Sequence, residues 1–241
     1  MHPESRGSSV ALVLAAGSGE RFGAAGGKQM AQLAGEPVLC HTLRAFDAAT
    51  SIGFVVVACH PERIEEYSRQ AVAPSVISKE WLVVAGGESR QESVGNALHA
   101  ISGIRAESIV VIHDGARVLV TPELIDSMVE RLLAEEELDG IVAGHPAYDT
   151  LKEVVDDRIV STVDRGRFWH AQTPQIFRRD RFEVAYSQAT AAKMTYTDDE
   201  AVMSAAGYRI APHLAPRENL KITVSEDMVI AQAILSERKR R

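Results

Sequence analysis

Apolar positions along the first part of the chain follow two alternating patterns. Runs of consecutive apolar, mostly β-branched residues have the length of strands, and the segments between them repeat their apolar residues at helical spacing. Strands that are apolar at consecutive positions are buried on both faces, as in a parallel sheet covered by helices. The pattern predicts an α/β fold with a doubly wound, mostly parallel sheet. The strand runs are SVALVLAAG, IGFVVVACH, WLVVAGG and SIVVIHDGAR, and the helical segments are PVLCHTLRAFDAA, PERIEEYSRQAV, ESVGNALHAI and TPELIDSMVERLLAEEE.

The alternation of strand and helix patterns ends after Gly140. Short alternating apolar positions in Thr150–Val155 and Ile159–Val163, separated by two aspartates, predict a β-hairpin. A two-stranded hairpin is marginal by itself and has to pack on something. It could lie over its own sheet, or it could project as an arm over about 147–168 and pack on a second subunit. With no repeat or low-complexity linker, we predict one domain over 1–241, whose first residues, about 1–8, form a loose tail.

The composition limits the classes of partner that the protein is expected to bind. The formal net charge of −7 gives no global positive field for nucleic acid or an anionic membrane, so an anionic substrate would need a local cluster of cations. No apolar stretch has the length of a membrane span. Cys40 and Cys59 lie in apolar surroundings and are interpreted as buried thiols, which agrees with a reducing cytoplasm.

The stretch LAAGSGERFGAAGGKQ, from Leu14 to Gln29, has the composition of a phosphate loop. A Walker A loop would need glycine at Phe22 and a hydroxyl residue at Gln29. A dinucleotide fingerprint starting at Gly17 and Gly19 would also need glycine at Phe22. Neither template fits, so the loop belongs to another kind of phosphate site.

What remains is a strand that runs into small residues, followed by a glycine-rich loop with two cations. Backbone N–H groups near Ala15 and Ala16 can approach an oxyanion closely. Arg21 and Lys28 can then neutralise charge on a transferring phosphoryl group. The alternative is a flexible surface loop with two solvated cations.

Two further stretches fall at the carboxyl edge of the predicted sheet, where ligands bind in such folds. In GGESRQESVGNAL, Gly87 and Ser93 suit recognition of a base or ribose. Arg90 is either a phosphate contact or a solvated loop arginine. In VIHDGAR, Asp114 follows a buried strand, where a carboxylate together with substrate phosphates holds Mg²⁺; a cap or a salt-bridge partner is the alternative. Arg117 is a candidate phosphate contact, and His113 is interpreted as a structural group in preference to a base.

The downstream candidates are weaker one by one. Asp198 and Asp199 could simply favour a helix N-terminus, with Thr197 as its cap. Trp169, Ile176 and Phe177 are predicted to lie in the core. No nucleophile relay or zinc spacing is present, which suits an attacking group that is itself a phosphate, already largely ionised at neutral pH because its second pKa is ~6. The remaining candidates are Thr150, Lys152, Arg165, Thr173 and Lys221.

Taken together, these stretches resemble the 2-C-methyl-D-erythritol 4-phosphate cytidylyltransferases of the non-mevalonate isoprenoid pathway. The resemblance covers nearly the whole chain, in the family's order. It implies a nucleotidyltransferase fold, CTP and a polyol phosphate as substrates, Mg²⁺ as cofactor, and a homodimer whose arm completes the neighbour's site. The motifs are LAAGSGERFG…GKQ, GGESRQESV, HDGAR, DTLK, TVDR…WHAQTPQ, YTDDEA and NLKIT.

The resemblance also implies roles for individual residues. Arg21 and Lys28 match the family's transition-state residues, and Asp114 matches its metal ligand. Gly19 and Arg90 are added as further CTP contacts from the loops themselves. The matched CTP contacts are Ala15, Ala16, Gly17, Gly87 and Ser93, and the matched methylerythritol-phosphate contacts are Arg117, Thr150, Arg165, Thr173, Thr197 and Lys221.

Two departures and three alternatives accompany the resemblance. The family usually has alanine at Gly115 and proline at Val118, changes that bear on local backbone geometry. Ribitol-5-phosphate cytidylyltransferases share the glycine loop, the QTPQ-like stretch and the threonine–aspartate motif, but DTLK and TVDR favour the methylerythritol enzyme. A sugar-1-phosphate nucleotidyltransferase would change both substrates. A nucleotide sensor would require loss of the lysine, the arginine or the metal carboxylate, all of which are present.

Overall fold

The computed structural model describes residues 9–17, 22, 27–102 and 108–240. Within them, apolar strands and helices alternate as the pattern predicts. The predicted helix PERIEEYSRQAV is a composite, because α2 follows a 3-10 turn at Pro61–Arg63 and continues into a π turn at Ser68–Val72. The strands are β1 Ser9–Leu14, β2 Gln32–Leu33, β3 Glu36–Pro37, β4 Ile52–Cys59, β5 Glu80–Ala85, β6 Ile109–Asp114, β7 Gly140–Pro146, β8 Lys152–Val155, β9 Arg158–Thr162, β10 Trp169–Arg178 and β11 Ile210–Leu214. The helices are α1 Val38–Ala48, α2 Ile64–Tyr67, α3 Arg90–Ala100, α4 Pro122–Ala134, α5 Arg179–Ala191, α6 Asp199–Ala205 and α7 Ser225–Arg238.

Seven strands form the central sheet in the order β11-β7-β10-β6-β1-β4-β5. The four strands that the apolar runs predict, β1, β4, β5 and β6, are parallel to one another. β10 runs antiparallel between β6 and β7, and β11 is parallel to β7. The predicted doubly wound, mostly parallel sheet is confirmed, with one reversed strand that the pattern did not reveal.

Each face of this sheet is covered by its own helices. Ala11 and Val13 of β1 pack with α1 and α4, whereas Val10 and Leu12 of the same strand pack with α3 and α5. A strand buried on both sides has to be apolar at consecutive positions, which is why β1 reads as a continuous apolar run. Both cysteines, Cys40 and Cys59, are buried and free, as predicted. No described helix has both the length and the apolar character that crossing a bilayer requires.

The predicted hairpin is present as a separate two-stranded sheet, β8 paired antiparallel with β9. Asp156 and Asp157 form its turn with φ of 47° and 60°, the left-handed backbone that a two-residue hairpin turn needs. Both of its strands are largely exposed, so it does not fold back over its own sheet. Its exposed apolar side chains are Val154, Val155, Ile159 and Val160.

One prediction for the core is wrong. Ile176 and Phe177 are fully buried, but Trp169 is 36% exposed, because it begins β10 beside the base of the hairpin. Its indole lies over Gly144, where a Cβ would collide with the indole Nε1. A glycine at this position in β7 therefore gives the ring a place on the sheet edge.

Candidate active site

The carboxyl ends of β1, β5 and β6 open onto one cavity of about 880 Å³. Because the ends of parallel strands meet at one edge of a sheet, loops far apart in sequence converge there. Most of the predicted nucleotide-site residues lie in its wall, and so does one predicted acceptor contact. These lining residues are Ala16, Gly17, Lys28, Gly87, Arg90, Ser93, Asp114 and Lys221.

Asp114, the last residue of β6, is surrounded by cations. The Lys221 ammonium lies 2.8 Å from Oδ2, the Arg90 Nε lies 3.5 Å from Oδ1, and the Arg117 Nε lies 3.8 Å from Oδ2. Its backbone N–H donates to the buried Thr173 hydroxyl at 3.1 Å. Burial by itself would raise the pKa of the Asp114 carboxyl, but Lys221 and Arg90 hold that pKa well below its usual range. Asp114 is therefore a permanently ionised carboxylate at the cavity wall.

Arg90 is not a solvated loop arginine, and that alternative is wrong. It is the first residue of α3, and its Nη1 lies 2.6 Å from Oδ2 of Asp199, which is wholly buried. The Tyr186 hydroxyl donates to the other Asp199 oxygen at 2.8 Å. Burial raises the pKa of Asp199, and the Arg90 guanidinium opposes that shift. Arg90 thus bridges a buried carboxylate and Asp114, in addition to lining the cavity.

The loop before α3 is shaped by its own side chains. Ser89 caps α3 in a reciprocal capping box with Glu92. The Ser93 hydroxyl donates to the Ser89 carbonyl at 2.9 Å and accepts from the Gly87 N–H at 3.0 Å. A Cβ on Gly86 would collide with the Ala16 Cβ, so only glycine lets this loop pack directly on the end of β1. Ser93 therefore fixes the loop conformation, and ligand contact by its hydroxyl stays a prediction.

The glycine-rich loop is described only at its two ends and at Phe22. Gly19 and Arg21 lie outside the described residues. Lys28 follows Gly27, whose φ of 76° favours glycine, and begins a short 3-10 turn that brings Lys28 to the cavity. Ala15 does not line the cavity wall formed by the described residues, and its N–H donates to the Ala58 carbonyl at 2.7 Å.

The predicted acceptor contacts divide into two groups. Lys221, Arg117 and Thr173 surround Asp114, and Arg117 also donates to the Asn219 carbonyl at 2.8 Å. Of these three, Lys221 lines the cavity, Arg117 and Thr173 lie behind its wall, and the other three contacts do not belong to the wall that the described residues form. Thr150 and Arg165 are exposed at the base of the hairpin, where the Arg165 guanidinium donates to the Tyr148 carbonyl, and Thr197 is exposed before α6.

The start of α6 differs from the prediction. Asp198 is the cap, because its carboxylate accepts from the Ala201 N–H at 3.1 Å, and Thr197 is not. Thr197 is left outside the helix with an exposed side chain. Both residue types cap helices well, so sequence alone does not choose between neighbouring candidates.

Two polar residues at the site were not predicted as site residues: Asp199 was interpreted as favouring a helix N-terminus, and Asn219 was not singled out. Asp199 has the burial and pairing described above, and Asn219 is 1% exposed. The Asn219 amide donates to Gln172 Oε1 at 2.9 Å and to the Thr173 carbonyl at 3.0 Å. A buried asparagine that joins two strand residues supports the Lys221 segment. Its place in NLKIT, two residues before a candidate cation, was the available signal.

Gly115, one of the two departures from the family pattern, is tightly packed. A Cβ there would come within 2.9 Å of the Leu39 Cδ1 and 3.1 Å of the Leu14 carbonyl oxygen. Val118 is buried in the cluster that packs α7 against Leu33, Val38 and the turn after β6. Neither residue displaces Asp114 or Arg117 from the site.

A divalent cation fits this donor set only with help from a substrate. Among the residues that the structure describes, no group of three or more His, Cys, Asp or Glu side chains could hold a metal. Asp114 nevertheless offers one ionised carboxylate at the cavity wall, and Mg²⁺ is commonly held by one or two carboxylates plus substrate phosphates.

Lys28 at the end of the glycine-rich stretch, the ionised Asp114 and several cations line or adjoin one cavity at the carboxyl edge of an α/β sheet, an arrangement that suits a nucleotidyltransferase. The sequence profile of a family described as 2-C-methyl-D-erythritol 4-phosphate cytidylyltransferase matches residues 9–237. The chain belongs to this family.

Individual relatives agree with the family match. A 2-C-methyl-D-erythritol 4-phosphate cytidylyltransferase of Syntrophotalea carbinolica is 40% identical over 224 residues, covering 93% of this chain and 94% of its own. One of Alkaliphilus metalliredigens is 36% identical, covering 95% and 93%. The crystal structure of the Thermus thermophilus enzyme of that name is similar with a TM-score of 0.75 at 28% identity, covering 95% of this chain and 99% of its own.

His113 generates a prediction about pH. It is fully buried, its Nε2 lies 3.2 Å from the Arg117 carbonyl, and its ring packs on Phe46. Burial lowers the pKa of His113 to about 3, so the folded protein keeps it neutral and it is a structural group, as interpreted from the sequence. Since the unfolded pKa is about 6.5, its stabilising contribution is complete above that pH and is lost as pH falls toward 3.

We therefore expect the free energy of unfolding of the His113→Gln variant to fall less steeply than wild type between pH 6.5 and 4, by up to about 1.4 kcal/mol per pH unit. Urea unfolding at several pH values measures this slope. The exposed His99→Gln variant is the control and should keep the wild-type slope. Equal slopes for His113→Gln and wild type would show that His113 protonates in the folded state.

Proposed function

We propose that this chain transfers CMP from CTP to 2-C-methyl-D-erythritol 4-phosphate, giving 4-diphosphocytidyl-2-C-methyl-D-erythritol and pyrophosphate. The observation that carries the proposal is the cavity at the carboxyl edge of the sheet, where Lys28, Asp114 and Lys221 meet the two glycine loops. The family match over residues 9–237 supports it. Although the net charge of the protein is −7, Lys28, Arg90 and Lys221 all line this cavity, where two anionic substrates would meet.

The reaction needs no general base from the protein. A phosphate monoester has a second pKa of ~6 and is largely a dianion at neutral pH. Its oxygen attacks the α-phosphorus of CTP, the new O–P bond forms, and the bond to the β-phosphate oxygen breaks as pyrophosphate leaves. His113, the histidine nearest Asp114 in sequence, is held neutral and enclosed in the core. Positioning and charge neutralisation are then the protein's contribution.

The cavity residues divide these tasks. Lys28, with Arg21 from the same loop, neutralises charge on the α-phosphate oxygens in the transition state. Lys221 and Arg117 offer positive charge to the acceptor phosphate, with Thr173 placed beside them. For the nucleotide we propose contacts from the cavity residues Ala16, Gly17, Gly87, Arg90 and Ser93. Ala15, which directly follows β1 behind this wall, and Gly19, which lies outside the described residues, stay predictions from the sequence.

Magnesium is part of the proposal. Asp114 would hold it together with the triphosphate, and when bound it would neutralise phosphate charge and orient the leaving group. Lys221 and Arg90 now balance the Asp114 carboxylate, and the same two cations are close enough to the cavity to turn toward phosphates. The two unpaired thiols, Cys40 and Cys59, suit an enzyme that works in the reducing cytoplasm.

The remaining part of the proposal is a homodimer formed through the hairpin. Val154, Val155, Ile159 and Val160 are 49–68% exposed, and an isolated hairpin with apolar side chains on its surface calls for a partner. Thr150 and Arg165 lie at the base of this arm, outside the cavity wall that the described residues form. We therefore assign them to the acceptor site of the second subunit.

The acceptor is tested by pyrophosphate release from CTP against a panel of polyol phosphates. We expect turnover with 2-C-methyl-D-erythritol 4-phosphate in the presence of Mg²⁺, and loss of turnover when EDTA replaces it. Erythritol 4-phosphate lacks the branching methyl group and serves as the matched acceptor. Turnover with ribitol 5-phosphate alone would contradict the proposed acceptor, and full turnover in EDTA would contradict the proposed role of Mg²⁺.

Lys28 is tested by truncation. We expect Lys28→Ala to fold normally and to lose on the order of 10²–10³ in turnover, because one preorganised contact to the transition-state charge is removed. The exposed Lys239→Ala variant removes the same charge far from the site and should keep wild-type turnover. Near-normal turnover in folded Lys28→Ala would contradict the role of this lysine.

The contribution of the arm across subunits is tested by mixing two inactive variants. Lys28→Ala and Arg165→Ala, co-expressed in equal amounts, should recover about a quarter of wild-type activity. Half of the dimers are then mixed, and each mixed dimer has one site with both residues intact. Each variant expressed by itself is the control. No recovery in the mixture would place Arg165 in the site of its own subunit.

A further inference from the structure

Two neighbouring residues at the start of α3 reach across to the segment over 194–199. The Arg90 Nη1 lies 2.6 Å from the buried Asp199 carboxylate. The Gln91 amide donates to the Met194 carbonyl at 3.0 Å and accepts from the Tyr196 N–H at 3.1 Å. We call Arg90 and Gln91 the α3 clamp. It connects two parts of the chain that are about a hundred residues apart in sequence.

Thr197 lies between the points that the α3 clamp holds. Tyr196, which directly precedes it, is bonded through its backbone to Gln91, and Asp199, two residues later, is paired with Arg90. Thr197 itself is exposed and lies outside α6. Its position is therefore set by contacts on either side of it, because it does not belong to the helix that follows.

A second anchor holds the same segment from the sheet. The Gln175 amide, from β10, donates to Asp198 Oδ2 at 2.9 Å and accepts from the Glu200 N–H at 3.0 Å. Gln175 fixes the start of α6, and the Met194 N–H donates to the Ala189 carbonyl at 3.0 Å, which leaves Gln91 as the side chain that bonds the backbone of Tyr196 to α3. Of the two clamp residues, Arg90 lines the cavity whereas Gln91 is not part of the cavity wall that the described residues form.

We propose that Gln91 is a positioning residue for the acceptor: it holds the backbone at Met194 and at Tyr196 so that Thr197 is placed for the polyol phosphate. The inference rests on the proposed function, since it takes Thr197 as an acceptor contact. Gln91 acts through this backbone and not by touching CTP. Its loss should accordingly affect the two substrates unequally, which a general loss of stability would not do.

The test uses the full-length chain and three substitutions. Gln91→Ala removes both hydrogen bonds. Gln91→Glu keeps the acceptor for the Tyr196 N–H and loses the donor to the Met194 carbonyl. Gln188→Ala, at an exposed glutamine of α5, is the matched control. The readouts are KM for each substrate, kcat, and amide hydrogen exchange of residues 194–199.

We expect Gln91→Ala to raise KM for 2-C-methyl-D-erythritol 4-phosphate about tenfold, the scale of one or two neutral hydrogen bonds, with KM for CTP unchanged. Amide hydrogen exchange at residues 194–197 should become faster in Gln91→Ala. The KM and the exchange rates of Gln91→Glu should lie between those of wild type and Gln91→Ala, and those of Gln188→Ala should match wild type. Equal rises in both KM values, or an unchanged KM for the acceptor in an active enzyme, would overturn the proposal. If wild type transfers no CMP to this acceptor, the proposed function fails, and unchanged exchange in Gln91→Ala would separately overturn the clamp.

Discussion

The site depends on one buried electrostatic constraint, the balance of charge around Asp114. A carboxylate that ends a buried strand is costly unless cations accompany it. Three of them do, and each comes from a different segment: Arg90 from the start of α3, Arg117 from the turn after β6, and Lys221 from the chain before α7. The requirement to neutralise Asp114 therefore draws together the loops that form the cavity.

The same network leaves a positive surplus. Asp114 and Asp199 are faced by three cations, so positive side chains outnumber carboxyl groups in this network. In an enclosed environment such a surplus attracts phosphates far more strongly than an exposed lysine would. An acidic protein can thus bind a nucleoside triphosphate and a sugar-like phosphate without a basic surface.

Rigidity around this network comes from backbone contacts. Gly86 lets the loop after β5 pack on the end of β1, and Ser93 ties that loop to the first turn of α3. Thr173 and Asn219 bond to the backbone and side chains behind Asp114 and Lys221. The segments that carry Arg90 and Lys221 are in this way tied to the sheet that carries Asp114, which is the arrangement that preorganised charge stabilisation requires.

Much of this structure follows from local pattern, and some does not. The strand and helix runs, the hairpin with its Asp156-Asp157 turn and the buried thiols are visible in the sequence because burial and turn geometry leave marks on neighbouring residues. The reversal of β10, the exposure of Trp169 and the capping of α6 by Asp198 are not visible in the sequence. Neighbouring residues suit these positions about equally well, and the choice between them depends on packing with other segments. The sequence by itself determined the fold class and the motifs that carry charge. Only the tertiary structure decided that Arg90 spans two carboxylates and that Asp199 is buried, because those distances depend on how segments about a hundred residues apart meet at one edge of the sheet.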